Sequence, residues 1–414
     1  MLQTTAVIIG AGPAGAGTSA FLSKAGIPHI ILEKERFPRD KVCGDGFSGK
    51  TAYVLRRANP DWLDEILNSS AFAPSHGLTL VAPNGNALNI AYNPNRKPGD
   101  KAPGFLTPRL HFDNFLFNKL PSPFATIYQE ASVQQIVRQP DGNMIVTAKH
   151  DGRKLEISAK LVVGADGDKS IVRKTLLQPQ QPSKIYAVGV RAYFDGVTGM
   201  HAENYPELHF LPGVLPGYLW IFPLPNGRAN VGLGIPSDVV RRKRLNIREI
   251  LADAIKNDPT IRHRFTNATQ LGKLQGWGLP MGADPLPISG DGFLLTGDAA
   301  SLVDPFSGEG IGNALFSGML AAEAIIKAAT ANDYSGAFLK QHYDNELYRR
   351  ILSELRTSAA LQRLCRYPWL FNFVVNKARK SISLQKTISG MFANLDLRDQ
   401  LRRPSFYFKI LMNK

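Results

Sequence analysis

Residues 6–9, Ala-Val-Ile-Ile, form an uninterrupted apolar run that predicts a strand buried on both faces, and residues 14–24 then read as a helix. A second run, His29-Ile30-Ile31-Leu32, ends on Glu33 and completes a β-α-β opening, with helix following to about residue 70. From residue 77 to 92 apolar and polar positions alternate around Asn84-Gly85, a pattern for antiparallel strands. A loop rich in Pro and Gly (93–104) precedes a helix expected at 114–120. Strands return at 133–138 and 144–149, flanking Asp141-Gly142-Asn143, and at 154–158 after Asp151-Gly152. Residues 186–235, rich in aromatics, Gly and Pro, read as a sheet that builds a pocket wall. A basic helical stretch is expected over 241–264, and mostly helix beyond 314. No internal repeat or low-complexity tract is visible.

Composition narrows the classes. A chain of 414 residues can bury a large core and would usually form two or more structural units. No apolar run approaches the roughly twenty residues that span a bilayer, and the first strand begins too early to leave room for a signal peptide. Only Cys43 and Cys365 are present, which excludes a disulfide framework and a cysteine-rich zinc site, and no metal is expected. These points lead us to expect a reducing cytoplasm. The net charge of +15 concentrates in Arg241-Arg242-Lys243-Arg244 and in the last seventy residues. No nucleic-acid motif accompanies it. The basic tail alternates with Trp369, Phe371, Phe373, Phe406, Tyr407, Phe408 and Leu411, a mixture suited to an anionic membrane surface. A solvated basic face over a small helical core is the other reading.

The turn between the first strand and helix is Gly10-Ala11-Gly12-Pro13-Ala14-Gly15. Gly10 permits the tight turn, Gly12 lets the backbone approach a pyrophosphate, and Gly15 lets helix and strand pack closely; Ala14 lies on the same first turn. Glu33, with Lys34 beside it, falls at about the twenty-residue spacing of a ribose-binding acid. Near the end of the catalytic region stand Gly297-Asp298-Ala299-Ala300 and then Pro305-Phe306-Ser307-Gly308-Glu309-Gly310-Ile311-Gly312. Their order after the first fingerprint points to FAD. Backbone N–H groups at Gly308, Gly310 and Ile311 would stabilise an anionic reduced flavin. Glu309 reads equally well as an ordinary helix-start acid.

Leu161-Val162-Val163-Gly164-Ala165-Asp166-Gly167, continued by Asp168-Lys169-Ser170-Ile171-Val172-Arg173, resembles the middle motif of the flavin-dependent group containing aromatic hydroxylases, halogenases and geranylgeranyl reductases. Read alone it is a strand-to-helix turn capped by Asp166 or Ser170. The resemblance implies that Asp166 and Gly167 contact FAD and a pyridine nucleotide, that Asp298 holds the ribityl chain, and that Arg109 lies near the phosphates. Two further segments resemble geranylgeranyl reductases in particular. One, Arg36-Phe37-Pro38-Arg39-Asp40-Lys41-Val42-Cys43-Gly44-Asp45-Gly46, carries Lys-x-Cys-Gly at Lys41, Cys43 and Gly44 and would reach the flavin. The other, Tyr218-Leu219-Trp220-Ile221-Phe222-Pro223, places Tyr218, Trp220 and Phe222 on one face of a strand. By itself that face is a sheet-core stripe; beside the flavin motifs it would be a substrate wall.

The resemblance, carried by motifs from residue 7 to about 312, implies an α/β fold: a Rossmann-type FAD-binding domain with an inserted antiparallel β-sheet substrate domain and a C-terminal helical region. The expected division is FAD-binding at 1–75, 109–180 and 286–330, substrate-domain at 76–108 and 181–285, and helical at 331–414. It implies reduction of C=C bonds in an isoprenoid chain of a prenylated small molecule or lipid. NAD(P)H or a ferredoxin-like electron-donor protein would supply electrons, and the enzyme would be cytoplasmic and peripheral at the membrane. Cys43 is a candidate for tuning or protonation near the flavin, or else a buried inert thiol. The alternative is a monooxygenase or halogenase on the same fold, although halogenases carry Trp-x-Trp-x-Ile-Pro where this chain has Tyr218, Trp220, Phe222 and Pro223.

Overall fold

The computed structural model describes residues 1–177, 185–381 and 384–385. Among these, two large sheets and a small one organise the chain. The first has the path Ser289–Gly290, Phe293–Leu295, Arg153–Gly164, Leu2–Ile9, His29–Leu32 and Ala125–Tyr128. Its centre is parallel: Ala6 to Ile9 lie between His29 to Leu32 on one side and Leu161 to Gly164 on the other. The apolar run at 6–9 is buried throughout because helices and further strands cover both faces. Met144–His150 and Ser132–Arg138 extend the sheet by antiparallel pairing onto the long strand Arg153–Gly164.

The second sheet runs Thr269–Met281, Ile185–Asp195, Arg228–Pro236, Tyr218–Pro223, Glu207–His209, Gly77–Val81 and Ala87–Ala91, antiparallel except between Glu207–His209 and Gly77–Val81. Of the segment 76–108, two strands join this sheet, whereas Gly104–Leu106 pairs with Gly46–Phe47 and Ala73–Ser75 in the small third sheet.

Two local expectations differ from the structure, and one long strand lies where the sequence predicts none. The helix expected at 114–120 is Arg109–Asn118, because Pro108 supplies a fixed φ at its N-cap. The basic stretch 241–264 is two helices, Ser237–Lys243 and Ile247–Asn257, broken at left-handed Arg244 and restarted by Asn246, whose side chain accepts from the N–H groups of Arg248 and Glu249. Thr269–Met281 is a thirteen-residue edge strand in a region that carries no clean alternation.

The long helix Ile311–Ala331 crosses the opening helix Pro13–Lys24 through small residues. A Cβ on Gly318 would meet Ala14 O at 2.3 Å, and one on Gly17 would meet Leu315 O at 3.1 Å. Ile311–Ala331 is long and apolar enough to cross a membrane, but most of it is buried in this core. The helix Asn345–Leu364 packs against it, and Pro368–Lys380 packs on the strand Ala87–Ala91 of the second sheet.

Candidate functional site

The glycine motifs meet because their backbones touch. Gly10 has φ +100°, and a Cβ there would lie 2.5 Å from Ala165 O, so the first turn packs directly on the Asp166-Gly167 turn. Gly297 brings the third motif in, with an ideal Cβ only 3.2 Å from Ala14 and 3.1 Å from Ala314. Gly15 has no room for any side chain: its Cβ would stand 1.9 Å from Gly10 O. Gly12 differs, since the nearest atom to its Cβ is Arg39 Nη2 at 3.5 Å. The space in front of Gly12 opens into a cavity of about 1350 Å³, above the roughly 300–1,000 Å³ of ordinary small-molecule pockets.

Most sequence-derived candidates line this cavity: Gly10, Gly12, Ala14, Glu33, Lys34, Lys41, Cys43, Gly44, Arg109, Asp166, Gly167, Asp298, Pro305, Gly308, Gly310 and Ile311, together with Tyr218 and Trp220. Gly15 and Gly297 stand behind the wall, in the packing roles just described. Glu33 is buried; its Oε2 accepts from Ala11 N–H at 2.8 Å and its Oε1 from Glu35 N–H at 2.9 Å. Lys34 forms an exposed pair with Glu35 at 3.8 Å. Lys41 stands 3.5 Å from Asp298 and over the Trp277 ring.

Arg109 is buried and bidentate to Asp113 at 2.6 and 2.7 Å. Burial opposes its charge, yet the Asp113 carboxylate more than compensates and raises its pKa. Asp113 also accepts from Arg39 at 3.0 Å, and Arg39 lies 3.9 Å from Glu33. Arg39 was not singled out in the sequence. Its placement beside Gly12 depends on the Phe37 ring under it and on Asp113, seventy-four residues away.

The Pro305–Gly310 turn is held from several sides. Asp304 Oδ1 accepts from the N–H groups of Phe306 and Ser307, Gln362 Nε2 donates to Pro305 O, and Tyr218 Oη donates to Ser307 O. Glu309 accepts from Ser48 Oγ and from Gly312 N–H at 2.6 Å, the geometry of the helix-start acid; burial pushes its carboxyl up. Gly310 at the N-cap has no side-chain cap, and neither does Gly12 at the start of Pro13–Lys24.

Tyr218, Trp220 and Phe222 share the cavity face of their strand, with ring centroids 6.3 Å apart in each adjacent pair. Leu219 and Ile221 point the other way into a separate apolar core. Phe222 closes against the Cys-Gly segment, where a Cβ on Gly44 would be 3.2 Å from its ring. Cys43 is half-buried, and its apolar surroundings push the thiol up, with Arg109 opposing.

The FAD binding domain family matches residues 3–332 of this chain. The chain belongs to that family. It is an FAD-dependent oxidoreductase. A menaquinone reductase of Mycolicibacterium smegmatis is 29% identical over 356 residues, covering 81% of this chain and 80% of the relative. A digeranylgeranylglycerophospholipid reductase 1 of Methanosphaera stadtmanae is 26% identical over 418 residues, covering 97% and 93%. The resemblance to geranylgeranyl reductases drawn from the motifs is thus matched by reductase relatives. A solved geranylgeranyl bacteriochlorophyll reductase-like structure from Thermoplasma acidophilum superposes with a TM-score of 0.77 at 20% identity, over 97% of this chain and 99% of that one. Solved flavin-dependent halogenases share the same fold.

The flavoprotein's own residues fit FAD. Two helix starts that lack an N-cap side chain face one cavity, with Glu309 taking the Gly312 N–H of the second; Arg39 brings positive charge beside the first, and Asp166 Oδ1 is buried without a hydrogen-bond partner among the described residues. The first helix start suits a pyrophosphate, and the second, at Gly310, suits negative charge on the ring system.

Proposed function

We propose that this flavoprotein saturates C=C bonds of an isoprenoid chain carried by a prenylated small molecule or lipid. The observation that carries this reading is the apolar face of Tyr218, Trp220 and Phe222 opposite the Pro305–Gly310 turn and beside Cys43-Gly44, all lining one cavity. An isolated alkene takes up one hydride and one proton and offers little polarity to either. Alignment and exclusion of water therefore do much of the work. When bound, FAD supplies the two-electron chemistry. Gly12, Arg39 and Glu33 would hold its phosphate and ribose end; Lys41 and Asp298 would engage its middle. Tyr218, anchored on Ser307 O, would keep the aromatic wall at a fixed distance from the turn that faces the ring. Cys43 is the proposed site of tuning or proton transfer, with NAD(P)H or a ferredoxin-like protein as electron donor.

Within this reading the segments 1–75, 109–180 and 286–330 form the cofactor unit and 76–108 and 181–285 the substrate unit. The helix Pro368–Lys380 serves as the membrane-facing part: Tyr367 and Trp369 are exposed at its start, and Lys377, Arg379 and Lys380 stand in its last turn. Phe371 and Phe373 pack inward, and Arg402, Arg403, Phe406, Phe408, Lys409 and Lys414 lie outside the described residues. Anaerobic reduction followed by addition of prenylated lipids and quinones tests the chemistry. Hydrogenated chains by mass spectrometry are the expected result. Hydroxylated or halogenated products in air, with no hydrogenation, would replace this reading by the monooxygenase one. Flotation with anionic vesicles, lost at high salt, tests the membrane part.

A further inference from the structure

Trp220 is held by more than its neighbours on the aromatic face. Its indole lies over glycines of the next strand and the one beyond it: a Cβ on Gly232 would meet Cζ2 at 2.2 Å, one on Gly234 would meet Cζ3 at 3.5 Å, and one on Gly189 would meet Cη2 at 3.7 Å. That seat fixes the plane of the ring, and Tyr218 and Phe222 flank it. The remaining constraint is polar. Trp220 Nε1 donates to Asn230 Oδ1 at 2.9 Å, and Asn230 Nδ2 spends both hydrogens, one on Cys43 O at 2.7 Å and one on Asp45 Oδ2 at 2.8 Å. The amide of Asn230 can therefore stand only one way round, with its oxygen toward the indole. Asp45 is fully buried, and its Oδ2 also accepts from Tyr193 Oη at 2.8 Å while Oδ1 accepts from Arg109 N–H at 3.2 Å.

We propose that Asp45, acting through Asn230, is the positioning residue that locks the Trp220 indole on its glycine seat, and so sets the wall against which an apolar substrate chain lies. The purpose of the wall rests on the reductase reading; the lock itself does not. The arrangement also ties the wall to the Cys43-Gly44 segment, because one amide bonds both, so neither side of the cavity can shift without the other.

The lock is sensitive to protons. Burial pushes the Asp45 carboxyl up to about 7, even though Asn230, Tyr193, Arg191 and the Arg109 N–H all favour the ionised form. The groups around it are Arg191 and Tyr193 on one strand, Asn230 on the next, Arg109 at its helix start, and Cys43 on its own segment. Arg191 is itself paired with Asp40 at 2.8 Å and stacked on Tyr193. An ionised Asp45 makes charge-assisted bonds to Asn230 and Tyr193; a protonated one keeps weaker ones. The indole should be held more tightly above neutral pH than below it.

The test is near-ultraviolet circular dichroism of the full-length flavoprotein, with the Trp220→Phe spectrum subtracted so that only the Trp220 signal remains. The wild type should show a sharp indole band whose amplitude rises between pH 6 and 8 with a midpoint near 7. Asp45→Asn keeps the volume but cannot titrate, and should lose at least half the band and all of its pH dependence. Asn230→Leu removes the link and should do the same with Asp45 intact, so it decides the matter if Asp45→Asn does not fold. An undiminished band in Asn230→Leu, or an unchanged midpoint in Asp45→Asn, overturns the proposal. No substrate enters this measurement, so failure of the reductase reading leaves its outcome untouched.

Discussion

Gly12 and Gly15 belong to one fingerprint but should fail in opposite ways when replaced. Gly12 has φ −68° and ψ −176°, extended backbone open to any residue, and an ideal Cβ there meets only the end of Arg39 at 3.5 Å. Gly12→Val should therefore fold, with stability changed by no more than about 1 kcal/mol from backbone entropy and cap preference together. Its methyl groups would occupy the space that a pyrophosphate needs in front of the helix start. Losing two charge-assisted hydrogen bonds of about 1.5–3 kcal/mol each amounts to about 3–6 kcal/mol, or roughly a 10²- to 10⁴-fold weaker FAD affinity at 1.4 kcal/mol per decade. Gly15→Ala places a methyl 1.9 Å from Gly10 O and must push helix from strand. Overpacking of this kind costs about 1–3 kcal/mol or more, cofactor present or not. Thermal melts of the flavin-free proteins and fluorescence titration with FAD separate the two. Gly12→Val binding FAD within tenfold of wild type, or melting as early as Gly15→Ala, would refute the assignment of the open space to phosphate.

Trp220→Ala should keep full flavin content while conversion of prenylated substrate drops at least tenfold; loss of flavin instead would show that the aromatic face is only core. Asp113→Asn strips the carboxylate from buried Arg109 and from Arg39, so denaturant titration should register a loss of about 3–5 kcal/mol. The exposed pair Lys101–Asp64, removed as a control, should cost no more than about 1 kcal/mol. Cys43 should alkylate slowly at pH 7 and faster as pH rises past 9, because burial favours its neutral thiol; Cys365, pushed up to about 12, should stay unlabelled. Rapid labelling of Cys43 at pH 7, read by peptide mapping, would overturn that account.

The strands at 6–9, 29–32 and 161–164 are legible in the sequence because a strand buried on both faces is an unbroken apolar run, and their glycine turns must stand where backbones touch; Ala125–Tyr128, the half-buried parallel strand at the sheet's edge, is not. The Tyr218 face is legible for a similar reason, since period-two spacing decides which side chains share a surface. What is hidden depends on partners remote in the chain. Arg39 reads as one cation among several until Asp113 fixes it. Asp45, Tyr193 and Asn230 are ordinary polar residues in sequence, and only the fold brings three elements onto one carboxyl. The edge strand Thr269–Met281 escaped because an exposed edge needs no apolar alternation.

The helix Asn345–Leu364 looks like an appendage, yet Ser358 Oγ bonds Asp304 Oδ2, Gln362 bonds Pro305 O, and Glu354 receives the buried Lys50. These contacts place a deadline within protein synthesis. The Rossmann strands can pair while the ribosome is still translating, but the turn that should face the flavin ring, held until then by Asp304, Tyr218 and Ser48, acquires its last supports only after residue 362 has been made. A chain stopped at 344 would be nearly all there by length and still lack the bonds that Ser358 and Gln362 give that turn. Flavin binding should therefore tighten late in the maturation of this protein, and premature termination near its end should leave a chain that holds flavin more weakly.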